Sequence, residues 1–326
     1  MTRIGAIVIT YNSAAVVERC IAAATSQGLE VVVVDNASSD SSASRALAAG
    51  ARVISNPTNV GFAEAANQGF DALAKEGSGS STTQPPLCVL LLNPDVEITT
   101  SILPMVDATI AHGAACGLLQ NVDNKPQIGF QLRRFPAPSV LAFEVLGINR
   151  IWKSNPINRA YRYFDFDVTQ PGFVEQPAGA FLMVRADVWR SVCGFDIGFK
   201  PVWFEDVDFA KRLYNQGVKI AFVPSSTGRH LGGHSVGKMD YSKRITAWYA
   251  SLLRYSCKHF SNSGGRCVAV AVIIAAGPRC VIGMLGQHSL TPLAAWMGVC
   301  SMALSVLWSG AGQEAVSKIA SEDRNF

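Results

Sequence analysis

The sequence lacks the signatures of several common protein classes. It contains no G-x-G-x-x-G and no G-x-x-x-x-G-K-[S/T] motif, so neither a dinucleotide-binding fingerprint nor a P-loop is predicted. None of its eight cysteines forms a C-x-x-C pair, which argues against a zinc site and a disulfide framework and predicts buried thiols in a reducing cytosol. The N-terminal region has no charged stretch followed by an apolar one, so no signal peptide is predicted.

The chain also lacks a strong charge of either sign. A net charge of +4 over 326 residues does not indicate nucleic acid as a partner, and hydrophobic residues at 49% suffice for one large domain with an appendage. Basic residues concentrate late in the chain, next to apolar sequence, at Lys238, Lys243, Arg244, Arg254, Lys258, Arg266 and Arg279. This pattern fits either an anionic membrane surface or a solvated helix face.

Strands and helices are predicted to alternate through the first third of the chain. Apolar runs at Ile4–Ile9, Val31–Val34, Arg52–Ile54 and Leu87–Leu92 predict strands, each followed by a helical pattern. This order predicts an α/β fold with a doubly wound, mostly parallel sheet flanked by helices. The last run is apolar throughout, which is typical of a strand buried on both faces.

Polar residues follow three of these predicted strands. They are Thr10, Tyr11 and Asn12, then Asp35 and Asn36, then Asn93 and Asp95. Because ligands of open α/β sheets bind beyond the carboxyl ends of the strands, these residues are candidates for a nucleotide site. Gly61 opens a helix whose N-terminal amides can face a diphosphate. For each residue alone, a helix cap or an Asx-turn is the simpler interpretation.

Two later segments carry further chemistry. Asp206 lies near the start of a predicted helix, Trp203–Tyr214, with Glu205 and Asp208 beside it. Crowded carboxylates raise one another's pKa, so Asp206 is a candidate general base, although an acidic helix N-terminus explains the same pattern. His230 is predicted in a glycine-rich loop after a strand, where it has either a structural role or a metal-binding one.

The C-terminal region, residues 237–326, is predicted to be helical, apolar and basic. A helix after Tyr241 is expected to end at a break at Gly264–Gly265, and the segments Cys267–Leu285 and Leu293–Trp308 are very apolar. Pro278 and Arg279 interrupt the first of them. Helices lying in a membrane interface are the favoured interpretation, with a spanning or re-entrant hairpin and plain core packing as alternatives.

Several short motifs, taken in order, resemble the inverting glycosyltransferases of family 2, and most closely the bacterial rhamnosyltransferase branch. The match runs from about Thr2 to about Ser235 and is carried by Val8–Asn12, Val34–Asp40, Asn59–Asn67, Leu92–Asp95, Gly179–Leu182, Gly194–Asp196, Phe204–Asp208 and His230–Ser235. The resemblance implies a GT-A fold, Rossmann-like in its sheet, over residues 1–236.

The resemblance also implies a role for each candidate residue. Those implied to contact the nucleotide-sugar donor are Thr10, Tyr11, Asn12, Asp35, Asn36, Gly61, Asn67 and Asn93. Asp95 and His230 would bind Mg²⁺ or Mn²⁺, and Asp206, with Glu205 beside it, would be catalytic. Asn93 stands where the family's D-x-D motif has its first Asp, and an amide is a weaker cation ligand than a carboxylate.

The function implied by this resemblance is transfer of a sugar, rhamnose from dTDP-rhamnose, to a polyprenyl-diphosphate-linked saccharide in cell-wall or surface polysaccharide synthesis. The protein would lie on the inner face of the cell membrane, as a homo-oligomer or alone. Alternatives are another hexosyl- or galactofuranosyltransferase of the family, a sugar nucleotidyltransferase, and a non-catalytic glycan-binding protein. A nucleotidyltransferase usually has a glycine-rich basic loop after its first strand, and Thr10–Ser13 is not such a loop.

Overall fold

The computed structural model describes residues 4–75, 88–232 and 239–309. Two compact units are present. The first comprises the described residues within Met1–Arg134, Arg162–Ile197 and Glu205–Gly237, and the second those within Phe135–Tyr161, Gly198–Phe204 and Lys238–Phe326. The domain boundary expected at residue 236, and the predicted motif residues Gly233–Ser235, lie outside the described residues.

The first unit is built on a large mixed sheet. Its strands are β1 (Ile4–Thr10), β2 (Glu30–Asp35), β3 (Arg52–Ser55), β4 (Cys88–Leu92), β5 (Val96–Ile98), β6 (Gly113–Gln120), β8 (Gly172–Val174), β10 (Phe181–Arg185) and β11 (Lys219–His230). A separate small ladder pairs β7 (Leu132–Arg133) with β9 (Gln176–Pro177). The helices of this unit are α1 (Val17–Ser26), α2 (Ser42–Ala48), α3 (Phe62–Lys75), α4 (Leu103–His112), α8 (Ala186–Ser191) and α9 (Glu205–Asn215).

The strand order confirms the predicted α/β class. Along the main path the order is β3-β2-β1-β4-β10-β6-β11-β5, with β8 paired to β11. The pairs β1–β2, β1–β4, β2–β3 and β6–β11 are parallel, whereas β10 runs antiparallel to both of its neighbours, β4 and β6. Consequently β1, β2, β4, β6 and β11 all end at one edge of the sheet, and β10 begins there.

Burial explains why the central strands form. Every residue of β4 is buried, as expected for a strand covered on both faces. The core that includes β4 continues through Ala6 and Val8 of β1 and Phe181 and Met183 of β10. Apolar burial of this kind is the main favourable term in folding, so the same core also holds the strand ends in place.

Three sequence predictions about this unit need correction. His230 is the last residue of β11, paired with Val96, and not part of a loop. Helix α9 begins at Glu205 instead of Trp203, because Trp203 and Phe204 have positive φ angles of 83° and 65°, which a right-handed helix excludes. The helical spacing of Ile102, Val106 and Ile110 predicts that all three face inward, but Ile110 in α4 is exposed, while Val106 and the N-cap Ile102 are buried.

The second unit is helical. Its helices are α5 (Pro138–Leu146), α6 (Ile148–Ile151), α7 (Pro156–Tyr161), α10 (Tyr241–His259), α11 (Asn262–Gln287) and α12 (Thr291–Ser309). The predicted break at Gly264–Gly265 is wrong, because both glycines lie in the first turns of α11, close to Pro138 in the case of Gly264. Phe204 packs against Trp248 and Tyr255, so its ring is part of the aromatic packing of this unit.

Helices α11 and α12 are long and apolar enough to cross a membrane, although buried core helices pass the same test. Arg279, in the apolar sequence of α11, donates to the carbonyls of Val145 and Glu144 at the end of α5, at 2.9 and 3.2 Å. The predicted interruption at Pro278 and Arg279 therefore does not end the helix. Arg279 instead bonds to carbonyls at the C-terminal end of α5, where the Glu144 carbonyl also accepts the Gly147 amide at 3.2 Å.

Candidate active site

A buried carboxylate lies at the shared edge of β1 and β2. Asp35 ends β2 and is 4% exposed. Its Oδ1 accepts hydrogen bonds from the hydroxyls of Thr10, at 2.7 Å, and Ser38, at 2.6 Å, and its Oδ2 accepts one from the Ser38 amide, at 3.0 Å. A carboxylate can accept about four hydrogen bonds, so Asp35 keeps capacity for a further donor such as a base N–H or a ribose hydroxyl.

The loops beside Asp35 are tied together by amide side chains. Asn12, with a φ of 54°, accepts hydrogen bonds at Oδ1 from the amide and hydroxyl of Ser39. Asn36 is buried, donates to the Gly61 carbonyl at 3.2 Å and accepts from Asn56 at 2.9 Å. Gly61 has a φ of 88°, which few other residues adopt. These bonds hold the strand tips and the start of α3 in one arrangement.

Asn67 was expected to contact the nucleoside, but the structure gives it another task. Its Nδ2 donates to the Phe195 carbonyl, and its Oδ1 accepts from the Phe195 amide, both at 2.9 Å. Both ends of the amide are thus engaged with the backbone of the loop before α9. We assign Asn67 to holding that loop and leave it out of the donor site.

Asp95 and His230 meet where β4 and β11 end. Asp95 Oδ1 lies 3.5 Å from His230 Nε2, and both residues are buried. Asp95 Oδ2 accepts the Gly232 amide at 2.9 Å, and its carbonyl accepts the Leu231 amide at 3.1 Å. Burial raises the pKa of Asp95, but its interaction with His230 and the hydrogen bond from the Gly232 amide outweigh that effect, so the pKa lies below its usual value.

Asp206 lies in the first turn of α9 with both carboxylate oxygens fixed. Oδ2 accepts the Gly179 amide at 3.2 Å, and Oδ1 accepts the amide of Val207 at 2.8 Å. Burial raises the pKa of Asp206, while the two amides and the charge of Arg133 act in the opposite direction without cancelling the effect. The expected cause, crowding by neighbouring carboxylates, is therefore replaced by burial.

The other two carboxylates of this turn, those of Glu205 and Asp208, are both buried. Glu205 is the first residue of α9 and is buried. Asp208 is fully buried and pairs with Arg212 one turn later, at 2.8 Å, so its charge is compensated within the helix. Asp208 accordingly serves the packing of α9, which leaves Asp206 as the carboxylate held by the sheet edge.

The sheet brings the two halves of the site to one edge. The backbone N–H of Asn93, two residues before Asp95, donates to the Ala180 carbonyl at 3.0 Å. The preceding residue, Gly179, donates its amide to Asp206. Because β4 and β11 end at the edge where β10 begins, Asp95, His230 and Asp206 lie at the same edge as Asp35.

Sequence reasoning missed three residues around this site. Gln127 hydrogen-bonds His230, Phe130 stacks on the same ring with centroids 5.5 Å apart, and Arg133 exerts its charge on Asp206. The sequence of Gln127–Leu132 predicts a strand, but residues 128–130 form a turn and only Leu132–Arg133 are extended. Contacts spanning about a hundred residues leave no local signal in the sequence.

The residues present fit a divalent cation held jointly with a diphosphate. Among the described residues no group of three or more His, Cys, Asp or Glu side chains could hold a metal ion by itself. Asp95 and His230 supply one carboxylate and one imidazole. Mg²⁺ and similar ions are commonly held by one or two protein ligands together with substrate phosphates, so a two-ligand site is sufficient.

Comparison with known families decides the relationship. A family model described as glycosyl transferase family 2 matches residues 6–179, more than half of the chain. A second model, glycosyl transferase family group 2, matches residues 158–309. The chain belongs to glycosyl transferase family 2.

This family 2 chain is 29% identical over 174 residues to the rhamnosyltransferase WbbL of Escherichia coli (strain K12). The match covers 51% of this chain and 60% of WbbL, so the chain spans less than two thirds of that relative. It supports the rhamnosyltransferase-like resemblance of the sequence motifs.

Two solved structures are similar to this chain at low sequence identity. GalNAc-T7, crystallised with UDP, GalNAc and Mn²⁺, has a TM-score of 0.50 and 13% identity, over 79% of this chain and 50% of its own. Glucosyl-3-phosphoglycerate synthase from Mycobacterium tuberculosis, in complex with Mn²⁺, UDP and phosphoglyceric acid, has a TM-score of 0.46 and 16% identity, over 77% and 78%. The likeness to GalNAc-T7, with the strand order above, confirms the predicted GT-A fold.

Proposed function

We propose that this glycosyltransferase is an inverting enzyme that moves rhamnose from dTDP-rhamnose to a polyprenyl-diphosphate-linked saccharide at the cytoplasmic face of the membrane. The observation that carries the proposal is the placement of Asp206. It is a partly buried carboxylate of raised pKa, fixed by two backbone amides, at the sheet edge where Asp95 and His230 meet.

The nucleoside end of the donor is assigned to the tips of β1 and β2. Asp35 presents its remaining acceptor capacity there, and Thr10 and Ser38 orient its carboxylate. Tyr11, Asn12 and Asn36 belong to the loops that frame this position, and Gly61 lets the start of α3 approach closely. The donor diphosphate would lie toward Asn93 and Asp95.

Asp95 and His230 are the proposed ligands of Mg²⁺ or Mn²⁺. When bound, the ion neutralises the charge that develops on the leaving nucleoside diphosphate. Both solved relatives described above were crystallised with UDP and Mn²⁺, which supports a divalent cation in general. The Gly232 amide contributes by orienting the Asp95 carboxylate.

Asp206 is the proposed catalytic base. In its deprotonated form it would accept the proton of the acceptor hydroxyl as that oxygen attacks the anomeric carbon from the face opposite the diphosphate. The C–O bond to the diphosphate breaks as the new glycosidic bond forms, so a single displacement inverts the anomeric centre. Glu205, buried beside Asp206, is assigned to the same turn with a supporting role.

The membrane part of the proposal is supported by the surface of the second unit. Large apolar side chains are exposed along α11, α12 and the turn between them, at Val270, Ile274, Val281, Ile282, Leu285, Leu290, Leu293, Met297, Leu304 and Trp308. Between these helices lies a cavity of about 900 Å³ lined without any charged residue. Exposed apolar surface of this extent marks a membrane or partner contact, and Arg266 beside it suits anionic lipid headgroups.

A donor screen tests the function directly. Purified protein is incubated with dTDP-, UDP- and GDP-sugars, with and without Mn²⁺, and nucleoside diphosphate release is measured. We expect release from dTDP-rhamnose to exceed the other donors and to rise with acceptor. Release from another sugar nucleotide would point to a different transferase of the family. Pyrophosphate formation from a nucleoside triphosphate and a sugar phosphate would instead indicate a nucleotidyltransferase.

Asp206→Asn tests the base. We expect kcat to fall by about 10²–10⁴-fold, the usual contribution of a general base, with donor affinity unchanged. The matched control is Asp167→Asn, which alters an exposed aspartate whose carboxylate accepts hydrogen bonds from the amide and hydroxyl of Thr169. Normal turnover by Asp206→Asn would refute the assignment of the base.

A further inference from the structure

Gln127 makes a two-point contact with His230 that the function above does not use. Its Nε2 lies 2.9 Å from the His230 carbonyl oxygen, and its Oε1 lies 2.9 Å from His230 Nδ1. Phe130 covers the imidazole face, and His230 is 3% exposed. The ring is therefore held in plane by a side-chain amide on one edge and an aromatic ring on one face.

This contact fixes the position of the imidazole proton. A carbonyl oxygen can only accept a hydrogen bond, so the NH₂ group of Gln127 has to face the His230 carbonyl. The amide oxygen then faces Nδ1, and because that oxygen is also an acceptor, Nδ1 must carry a proton. In the neutral ring the lone pair is left on Nε2.

The Nε2 lone pair faces a carboxylate. Asp95 Oδ1 is 3.5 Å away, in a buried setting where the repulsion of two electron-rich atoms is poorly screened. The opposite tautomer, with the proton on Nε2, would close a direct hydrogen bond to Asp95 and occupy the lone pair that a cation needs. The contact with Gln127 disfavours the tautomer that forms this hydrogen bond to Asp95.

We propose that Gln127 is a positioning residue that holds His230 in the Nδ1–H tautomer and so keeps Nε2 open, beside Asp95, for a divalent cation. The inference rests on the proposed function, since it takes Asp95 and His230 as the ligands of the cation that accompanies the nucleotide-sugar donor. Residues that orient a metal-binding histidine typically alter metal affinity by about 10–100-fold when removed.

The test reads the tautomer and the metal separately. Full-length protein labelled with ¹⁵N-histidine is studied without metal by long-range ¹H–¹⁵N correlation, with His230 assigned by its loss in His230→Asn. We expect a protonated Nδ1 and an unprotonated Nε2 in the wild type. In Gln127→Met the population should move toward a protonated Nε2. Mn²⁺ binding in the presence of dTDP, followed by EPR of free Mn²⁺, should weaken by about 10–100-fold in that variant.

Two further variants separate positioning from packing. Gln127→Glu keeps an acceptor opposite Nδ1, so we expect the Nδ1 proton to persist and Mn²⁺ affinity to stay closer to the wild type than in Gln127→Met. Gln170→Met changes an exposed glutamine and should match the wild type in both readouts.

A protonated Nε2 in the neutral wild-type ring, or the same tautomer and Mn²⁺ affinity in Gln127→Met as in the wild type, would overturn the proposal. A tautomer that responds to Gln127→Met in a wild-type protein that binds no Mn²⁺ with dTDP would support the tautomer assignment and overturn the metal site of the proposed function.

Discussion

Asp206 and Arg133 make the acid limb of the pH profile a sensitive probe of the site. Asp206, the proposed base, can accept a proton only when it is deprotonated, and burial raises its pKa, so kcat/KM should fall as the pH drops through a value above the ordinary one for aspartate. Arg133→Met removes a positive charge that lowers this pKa. We expect the acid limb of kcat/KM against pH to move to higher pH in that variant.

The neighbouring arginine provides the control for this prediction. Arg134 is exposed and pairs with Glu175, and it is not among the groups that shift the pKa of Asp206. Arg134→Met should leave the acid limb in place. An unchanged limb in Arg133→Met, or an equal shift in both variants, would contradict the assignment of the limb to Asp206.

Thr10, which orients the Asp35 carboxylate in the proposed nucleoside site, also contributes to the stability of the fold. Its hydroxyl is fully buried and donates to Asp35 at 2.7 Å. Thr10→Val keeps the shape but removes a hydrogen bond to a charged group, so we expect unfolding in urea to require about 1.5–3 kcal/mol less free energy. Thr99→Val, which removes an exposed hydroxyl, should change stability far less. Equal losses in the two variants would show that burial of the bond is irrelevant.

At the scale of residues, the sequence predicted which side chains lie at the sheet edge better than it predicted their hydrogen-bond partners. Thr10, Asp35 and Asp95 lie at one sheet edge, as their positions after predicted strands indicated, and Asp206, predicted in a helix, reaches the same edge. Asn67 did not behave as expected, because its sequence position gives no sign that Phe195 engages both ends of its amide. Gln127 was missed for a related reason, since its partner is 103 residues away.

At the scale of elements, β6 approaches its neighbours β10 and β11 closely at Gly117. A Cβ atom on Gly117 would collide with the Phe181 ring and with the backbone carbonyl of Ser226. The Ser226 carbonyl belongs to the backbone and cannot rotate away. It lies at the register shift of β11 between Val223 and Thr227. Gly117→Ala should therefore destabilise the protein by about 3 kcal/mol, measured by urea unfolding.

A helical glycine supplies the comparison for Gly117. Gly286 in α11 has open space around the position of a Cβ atom. Gly286→Ala should be neutral or stabilising by up to about 1 kcal/mol, because alanine is the better helix former. Destabilisation of similar size in both variants would argue that backbone freedom, and not the close approach, is what Gly117 provides.

The sequence predicted the elements well wherever one period dominated. The alternation through β4 was recovered because buried strands and amphipathic helices differ in period. The starts of α9 and α11 were misjudged, since Trp203 and Phe204 suit a helix by composition and only their positive φ angles exclude it. The paired glycines of α11 were misjudged because tertiary packing of the first turns outweighs a low helix propensity.

At the scale of the whole molecule, the exposed apolar surface of α11 gives the membrane proposal a direct test. Ile282 and Leu285 are 68% and 69% exposed. The double variant Ile282→Glu, Leu285→Glu should cosediment less with vesicles containing anionic lipid, because it adds charge to the apolar surface, while the free energy of unfolding stays nearly constant. Leu47→Glu, at a similarly exposed leucine of α2, should leave cosedimentation unchanged.

Two results would argue against membrane contact. Equal vesicle binding by the double variant and the wild type would show that this surface does not enter the lipid. A large loss of stability in the double variant would show that the two side chains are part of a protein interface.

The dipeptide Gly179–Ala180 bonds to the chain beside Asp95 on one side and to Asp206 on the other. Strand register thus sets the distance between the proposed cation ligand and the proposed base, and a shift of β10 by one residue would change that distance by about 3.4 Å. On this proposal, the distance does not adapt to a bulkier acceptor. A change of acceptor preference in evolution would then have to arise in segments outside the sheet.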